Sequence, residues 1–217
     1  MIFTNRVEAG RMLAERLKPF AHRKDVIVLG IPRGGIPVAF EIAEALGAPL
    51  DVFVARKLGV PGQEELAFGA IASGGVRVLD PEIIEATGIS ETDIAEVTAR
   101  ERIELERRER LYRGSRPPLD VGGRTAILVD DGIATGSSIR AAISALRHLK
   151  PARLIVAAPV APAATCEQLR TEVEDLVCVD MPRSFRAIGE FYEDFSQVTD
   201  QEVTDLLRRG WREAVAN

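Results

Sequence analysis

Residues 125–138, Thr-Ala-Ile-Leu-Val-Asp-Asp-Gly-Ile-Ala-Thr-Gly-Ser-Ser, constrain this chain more than any other stretch. The first five are short and apolar enough for a strand buried on both faces, as in a parallel sheet. From Gly136 to Leu149, Ile139, Ala142, Ile143 and Leu146 recur at helical spacing. The two acids and the turn therefore sit at a strand-to-helix junction. There, unpaired N–H groups and the positive end of the helix dipole favour an anion such as phosphate. Gly132 and Gly136 let the backbone approach it closely. Asp130 and Asp131 are acceptors, suited to adjacent sugar hydroxyls or, through water, to a divalent cation. The competing reading is a buried strand ending in a solvated Asp-Asp turn.

Beyond this junction, strands alternate with helices. Apolar runs predict strands at Val26–Leu29, Leu50–Val54, Leu154–Val160 and Leu176–Val179. Helices are expected from Asn5 (Val7, Leu13 and Leu17 inward), over Gly35–Leu46, after Pro162, and from Thr199 (Val203, Leu206 and Leu207 inward). Five such strands imply a doubly wound, mainly parallel α/β sheet with right-handed crossovers. Ligands of such sheets bind beyond the strand carboxyl ends, where the strand order reverses. For an order 2-1-3-4-5 that point lies between the strands ending at Leu29 and Val129. The loop there, Gly30-Ile31-Pro32-Arg33-Gly34-Gly35, is a second anion site with three glycines, a cation and a helix start.

The acid-pair stretch resembles the donor-binding loop of the type I phosphoribosyltransferases: four apolar residues, two acids, then a turn ending Thr-Gly-x-Ser/Thr. The resemblance extends over roughly residues 3–207. It is nearest to small prokaryotic members with Gly-Ile-Pro-Arg-Gly-Gly, Arg-Lys-Leu-Gly-x-Pro-Gly and Val-Asp-Asp-Gly-Ile-Ala-Thr-Gly segments. It implies that Asp130 and Asp131 hold the ribose hydroxyls. Gly132, Ile133, Ala134, Thr135, Gly136, Ser137 and Ser138 would cradle the 5′-phosphate. Pro32, Arg33, Gly34 and Gly35, with Lys57 and secondarily Arg56, would hold diphosphate. Asp130, Asp131 and Lys57 are the catalytic candidates, and Mg²⁺ is the implied cofactor, reached by the two acids through water. The donor is 5-phosphoribosyl 1-diphosphate. In 6-oxopurine enzymes an aspartate stands where this chain has Ala134, so the acceptor is expected to be another base or an amine.

One domain over 1–217 is expected, with three embellishments. Residues 57–79 read as a hairpin carrying a polar, glycine-containing lid over 58–65. Ser90-Glu91-Thr92-Asp93 resembles a capping box opening a charged helix over 90–113, about 35 Å long. Its pairs Glu96/Arg100, Glu104/Arg108, Glu106/Arg110 and Glu109/Arg113 suit a solvent face. Its sparse apolar set, Ile94, Val97, Leu105 and Tyr112, would dock on the body or on a second subunit. Residues 181–196 form a hood-like segment whose Phe185, Phe191 and Tyr192, with Phe195, either stack an acceptor base or pack the C-terminal helix onto the sheet edge. Asp131, at a strand end, is expected to be exposed.

Composition narrows the classes. No apolar run approaches the ~20 residues of a membrane span, and no signal-peptide core follows Met1, so a cytoplasmic protein is expected. A net charge of −5 gives no general attraction to nucleic acid. Cys166 and Cys178 read as reduced core thiols, and isolated His22 and His148 give no zinc spacing. The leading expectation is a Mg²⁺-dependent phosphoribosyl transferase. The alternative is a donor-sensing regulatory or RNA-binding protein on the same fold. A phosphoacceptor receiver using Asp130 would leave the Thr-Gly-Ser-Ser turn unexplained.

Overall fold

The computed structural model describes residues 1–216, with side-chain surroundings as far as Trp211. Its strands are β1 (Val26–Gly30), β2 (Leu50–Val52), β3 (Ala55–Val60), β4 (Gln63–Ala72), β5 (Val76–Leu79), β6 (Thr125–Val129), β7 (Arg153–Val160) and β8 (Asp175–Asp180). Its α-helices are α1 (Arg6–Leu17), α2 (Gly35–Leu46), α3 (Pro81–Thr87), α4 (Glu91–Arg113), α5 (Ser137–His148), α6 (Ala163–Leu169) and α7 (Asp200–Ala216). Five strands form a parallel sheet in the order β2-β1-β6-β7-β8, which is the 2-1-3-4-5 arrangement considered above. Gly30 lies opposite Val129, so the loops after β1 and β6 leave the sheet side by side.

The apolar runs are continuous because helices cover both sheet faces. Alternate residues of one strand enter different cores: Val28, Ile127 and Val129 pack with Leu13, Ile36 and Phe40. Leu29, Ala126 and Leu128 pack with Ile139, Ile143 and Leu146 on the other face. Each fully buried leucine or isoleucine there contributes about 1.5–3 kcal/mol relative to exposure. The helix ends follow local chemistry. Asn5 accepts from the Glu8 N–H at 3.1 Å, and Thr199 and Glu202 cap each other's backbone N–H groups. Val7, expected inward, is exposed, because α1 buries Ala9, Gly10, Leu13, Ala14 and Leu17.

Three details differ from the sequence reading. The second strand stops at Val52, because Phe53 and Val54 carry the chain into another sheet. Phe53 N–H donates to Gly30 O at 3.0 Å, whereas Val54 exchanges bonds with Ser73. The polar stretch 58–65 is strand rather than loop. β3 and β4 pair antiparallel around a Pro61-Gly62 turn, with Gly62 at φ +79°, and β5 completes a three-stranded sheet. The long helix α4 spans its expected length, with Ser90 capping the Asp93 N–H, but its charges pair differently. Of the four expected pairs Glu104/Arg108 forms, at 2.7 Å. Arg113 reaches Asp51 of β2 at 3.1 Å, and Glu101 takes Arg56 of β3 at 2.6 Å. Val97, Leu105 and Tyr112 dock α4 on the body. Among the described residues no helix is long and apolar enough to cross a membrane. Cys166 and Cys178 are free, buried thiols.

Candidate functional site

β6 delivers Asp130 and Asp131 at the rim of the sheet, and β1 delivers Pro32–Gly35 beside them. The fit between the two turns is tight. Ile31 N–H donates to Val129 O at 2.8 Å. A Cβ built on Gly35 would lie 2.6 Å from Val129 O, and one on Gly34 would lie 2.0 Å from Asp131 Oδ2. A Cβ at Gly34 would force the Asp131 carboxylate to move, and one at Gly35 would force the backbone to move. The turns after β1 and β6 thus meet where Gly34 and Gly35 press against Asp131 and Asp130.

The turn after the acids encloses a cavity of ≈150 Å³ lined by Asp130, residues 132–139 and Ile188. Gly136 sits at φ +81° as the N-cap of α5, and Ser137, Ser138 and Ile139 of the first turn of that helix line the cavity. The turn is braced from two sides. Thr165 Oγ1 donates to Ala134 O at 3.0 Å, and Arg140 Nη1 to Thr135 O at 3.3 Å. The hydroxyls of Thr135 and Ser137 lie 3.1 Å apart within it. Ile188, from the segment over 181–196, covers Gly132 so closely that a Cβ there would come 2.5 Å from its Cγ2.

The two acids are not equivalent. Asp130 is half-buried and lines the cavity, with Oδ1 accepting the Asp131 N–H at 2.9 Å. Burial, and then the adjacent Asp131, push its carboxyl well above the usual carboxylate range. Asp131, expected to be exposed, is buried. Its Oδ2 accepts from Arg6 Nε at 2.7 Å, and its main-chain carbonyl accepts from Tyr192 Oη at 2.6 Å. Burial raises the Asp131 carboxyl too, against the opposing pull of the Arg6 guanidinium.

The basic residues are brought close but come with protein partners. A second cavity of ≈240 Å³ joins Arg56 and Lys57 of β3 to Ser138 at the end of the turn, with Arg100 and Glu101 of α4 on its wall. Arg56 is bound to Glu101 at 2.6 Å, and Lys57 to Glu65 on β4 at 2.9 Å. Arg33 lies 3.9 Å from Asp200, which also accepts from Tyr112 Oη at 2.6 Å. In the hood, Phe185 and Phe191 stack at 5.4 Å and 17°. Tyr192 departs from the expectation. Its ring is buried between Phe3 and Phe195, at 5.4 and 5.0 Å, and its hydroxyl is committed to Asp131, so it offers no face to a ligand. Sequence reasoning missed Arg6 and Ile188. Arg6 stands in the first turn of a capped helix, and nothing local signals a partner 125 residues away.

Residues 4–195 match the phosphoribosyl transferase domain family. The chain is 43% identical over 212 residues to Rv0571c of Mycobacterium tuberculosis, a protein provisionally named as a phosphoribosyl transferase. That alignment takes in 98% of this chain and 48% of the relative, so the chain spans about half the length of this curated relative. The crystal structure of TT1426 from Thermus thermophilus superposes with a TM-score of 0.88 at 41% identity, covering 96% of this chain and 99% of that one. The bifunctional protein PyrR of Chloroflexus aurantiacus is 32% identical over 130 residues, 58% of this chain and 65% of PyrR. With the sheet order, the glycine-tight pair of turns and the acid-lined cavity, these likenesses assign the chain to the phosphoribosyl transferase domain family.

Proposed function

We propose that the protein transfers 5-phosphoribosyl from 5-phosphoribosyl 1-diphosphate to a nitrogen of a base or amine, with Mg²⁺, releasing diphosphate. The observation that carries this reading is the contact of Gly34 with Asp131, which lets two anion-binding turns share one rim. On this reading the 132–138 turn and the N-terminus of α5 hold the 5′-phosphate, and Asp130 accepts from the ribose hydroxyls. The Pro32–Gly35 loop, Lys57 and Arg56 hold the diphosphate. Among the described residues no group of three or more acids, histidines or cysteines could cage a metal. One half-buried carboxylate beside a phosphate cradle suits Mg²⁺, which keeps waters and substrate oxygens and needs few protein ligands. Asp130 would hold it, since the Asp131 carboxylate is taken by Arg6, and when bound it neutralises charge on the departing diphosphate.

The bond from C1 to the diphosphate oxygen breaks with its electron pair leaving on diphosphate, while the acceptor nitrogen bonds to C1 and loses its proton to the released diphosphate. The intervening centre is oxocarbenium-like, and water competes for it. Ile188 over Gly132 and the Phe185/Phe191 pair supply apolar cover on the acceptor side. Ala134 carries no group to take the acceptor's proton, which is why a 6-oxopurine is disfavoured. The test is diphosphate release, with donor and Mg²⁺, across a panel of bases and amines. Stimulation by one acceptor class is expected. Donor binding without stimulated release would replace the transferase with a donor-sensing protein, and no donor binding would end both readings.

A further inference from the structure

We propose that Arg6, which lies outside the sequence motifs named above, is a positioning residue of the phosphoribosyl site: its guanidinium holds the Asp131 carboxylate against Gly34 and fixes the hood in place. The inference rests on the reading above for what the site binds. The geometry behind it is independent. Arg6 Nε donates to Asp131 Oδ2 at 2.7 Å, Nη1 donates to Ser196 O at 2.9 Å, and the guanidinium carbon lies 4.0 Å from the Phe195 ring centre. Both charged side chains are only 11% exposed. One planar cation therefore joins the acid loop to the hood in three directions, using edge, fork and face.

The surrounding chain reinforces the link. Phe3 is threaded beside the hood, with its N–H donating to Phe191 O and its carbonyl accepting from Glu193 N, each at 2.8 Å. Thr4 O accepts from Asp194 N at 3.0 Å. Tyr192 supplies the second tie to Asp131 through the 2.6 Å bond to its carbonyl. The Asp131 carboxylate, pressed into the space that a Cβ on Gly34 would occupy and bound by Arg6, is engaged within the protein. Asp130, which lines the cavity, is the acid that reaches the ribose. The acid pair thus divides its work: one carboxylate for ligand, one for holding three separate loops in register.

Two measurements test this. In the first, hydrogen exchange at the amides of residues 192–196 is followed without any ligand in the wild type, Arg6→Gln, Arg6→Lys and Asp131→Asn. Faster exchange in Arg6→Gln and Asp131→Asn alike is expected, with the rest of the sheet still protected. In the second, calorimetric titration with 5-phosphoribosyl 1-diphosphate and Mg²⁺ is expected to show affinity lower by about 10- to 100-fold in Arg6→Lys, since a point charge keeps the ion pair but not the geometry. Should Arg6→Gln not fold, Arg6→Lys and Tyr192→Phe carry the exchange test. Unchanged protection of 192–196 in Asp131→Asn overturns the inference, as does wild-type donor affinity in Arg6→Lys. Failure of the wild type to bind donor strikes the transferase and donor-sensing readings but leaves the tie between Arg6, Asp131 and the hood standing, because the exchange comparison uses no donor.

Discussion

Gly34→Ala is the most direct test of how the two turns meet. Gly34 has φ −62° and ψ −32°, which alanine adopts without strain, so the effect is steric. Its Cβ would lie 2.0 Å from Asp131 Oδ2, 2.5 Å from Cγ and 3.0 Å from Oδ1. The carboxylate would have to retreat by more than an ångström, and it is bound to Arg6 at 2.7 Å. Disrupting a buried pair of this kind costs about 3 kcal/mol at the low end of measured cases. Against that, alanine reduces the entropy of the unfolded chain, worth about 0.4–1 kcal/mol in its favour. The net expectation is a loss of about 2 kcal/mol, or about 4–8 °C in melting temperature for a domain of this size. Urea unfolding of four proteins measures it: wild type, Gly34→Ala, Asp131→Ala and the double variant. The clash has no partner once Asp131 is truncated, so the alanine penalty should nearly vanish in that background. A penalty below about 0.5 kcal/mol in the wild type, where independent surface changes fall, would refute the argument. So would an equal penalty in both backgrounds.

Gly136→Ala forces a side chain onto φ +81° and brings Cβ to 3.2 Å from Thr165 Cγ2, so about 1–2 kcal/mol of stability and most donor affinity should go, read by melting and calorimetry. Tyr112→Phe removes the 2.6 Å bond to the Asp200 carboxylate, and chemical denaturation should show a loss of about 1.5–3 kcal/mol, as for bonds to charged groups. Arg107 and Arg108 pull the Glu104 carboxyl from its ordinary 4.5 down to about 2. A depressed acid stabilises the fold above its unfolded value and loses that contribution as pH falls through the folded one, here between 4.5 and about 2. Solvent screening limits the gain to about 0.2–1 kcal/mol, so Glu104→Gln should flatten the acid limb of stability slightly; superimposable limbs would exclude the pairing.

What the chain reveals in sequence is what depends on near neighbours. The strand, acids, turn and helix of 125–148 are adjacent residues whose roles follow from local rules, and the caps at Asn5, Ser90 and Thr199 are equally local. Parallel pairing follows from counting apolar runs and from crossover handedness, whereas the order 2-1-3-4-5 is one of the doubly wound orders those rules allow. The antiparallel sheet of β3 to β5 was less legible. β4 begins with three exposed residues, Gln63, Glu64 and Glu65, which read as a polar loop until cross-strand pairing is known. In α4 each arginine has several glutamates within reach, so tertiary partners decide. Arg113 turns to Asp51 and Glu101 to Arg56, neither visible in helical spacing. Tyr192 and Arg6 follow the same rule, since their roles exist only through Asp131, distant in sequence.

The charged residues of the site already hold partners of opposite sign within the protein, and burial separates those that can serve a ligand from those that cannot. Lys57 and Glu65 are 30% and 91% exposed, and Arg33 and Asp200 are 38% and 39% exposed at 3.9 Å. Exposed pairs of this kind contribute about 0–1 kcal/mol, so a multiply charged anion can take either cation from its partner at little cost. Arg6 and Asp131, both 11% exposed, stand at the other limit, where separating the charges costs about 3–5 kcal/mol. Arg56 and Glu101 fall between, at 31% and 15%. If the site takes the donor as proposed, these magnitudes make Lys57 and Arg33 the cations expected to exchange partners, and Arg6 the one expected to stay. Charge alone, which is all that sequence displays, makes the four pairs look alike; exposure separates two that part at little cost from one, Arg6 with Asp131, that is built into the architecture.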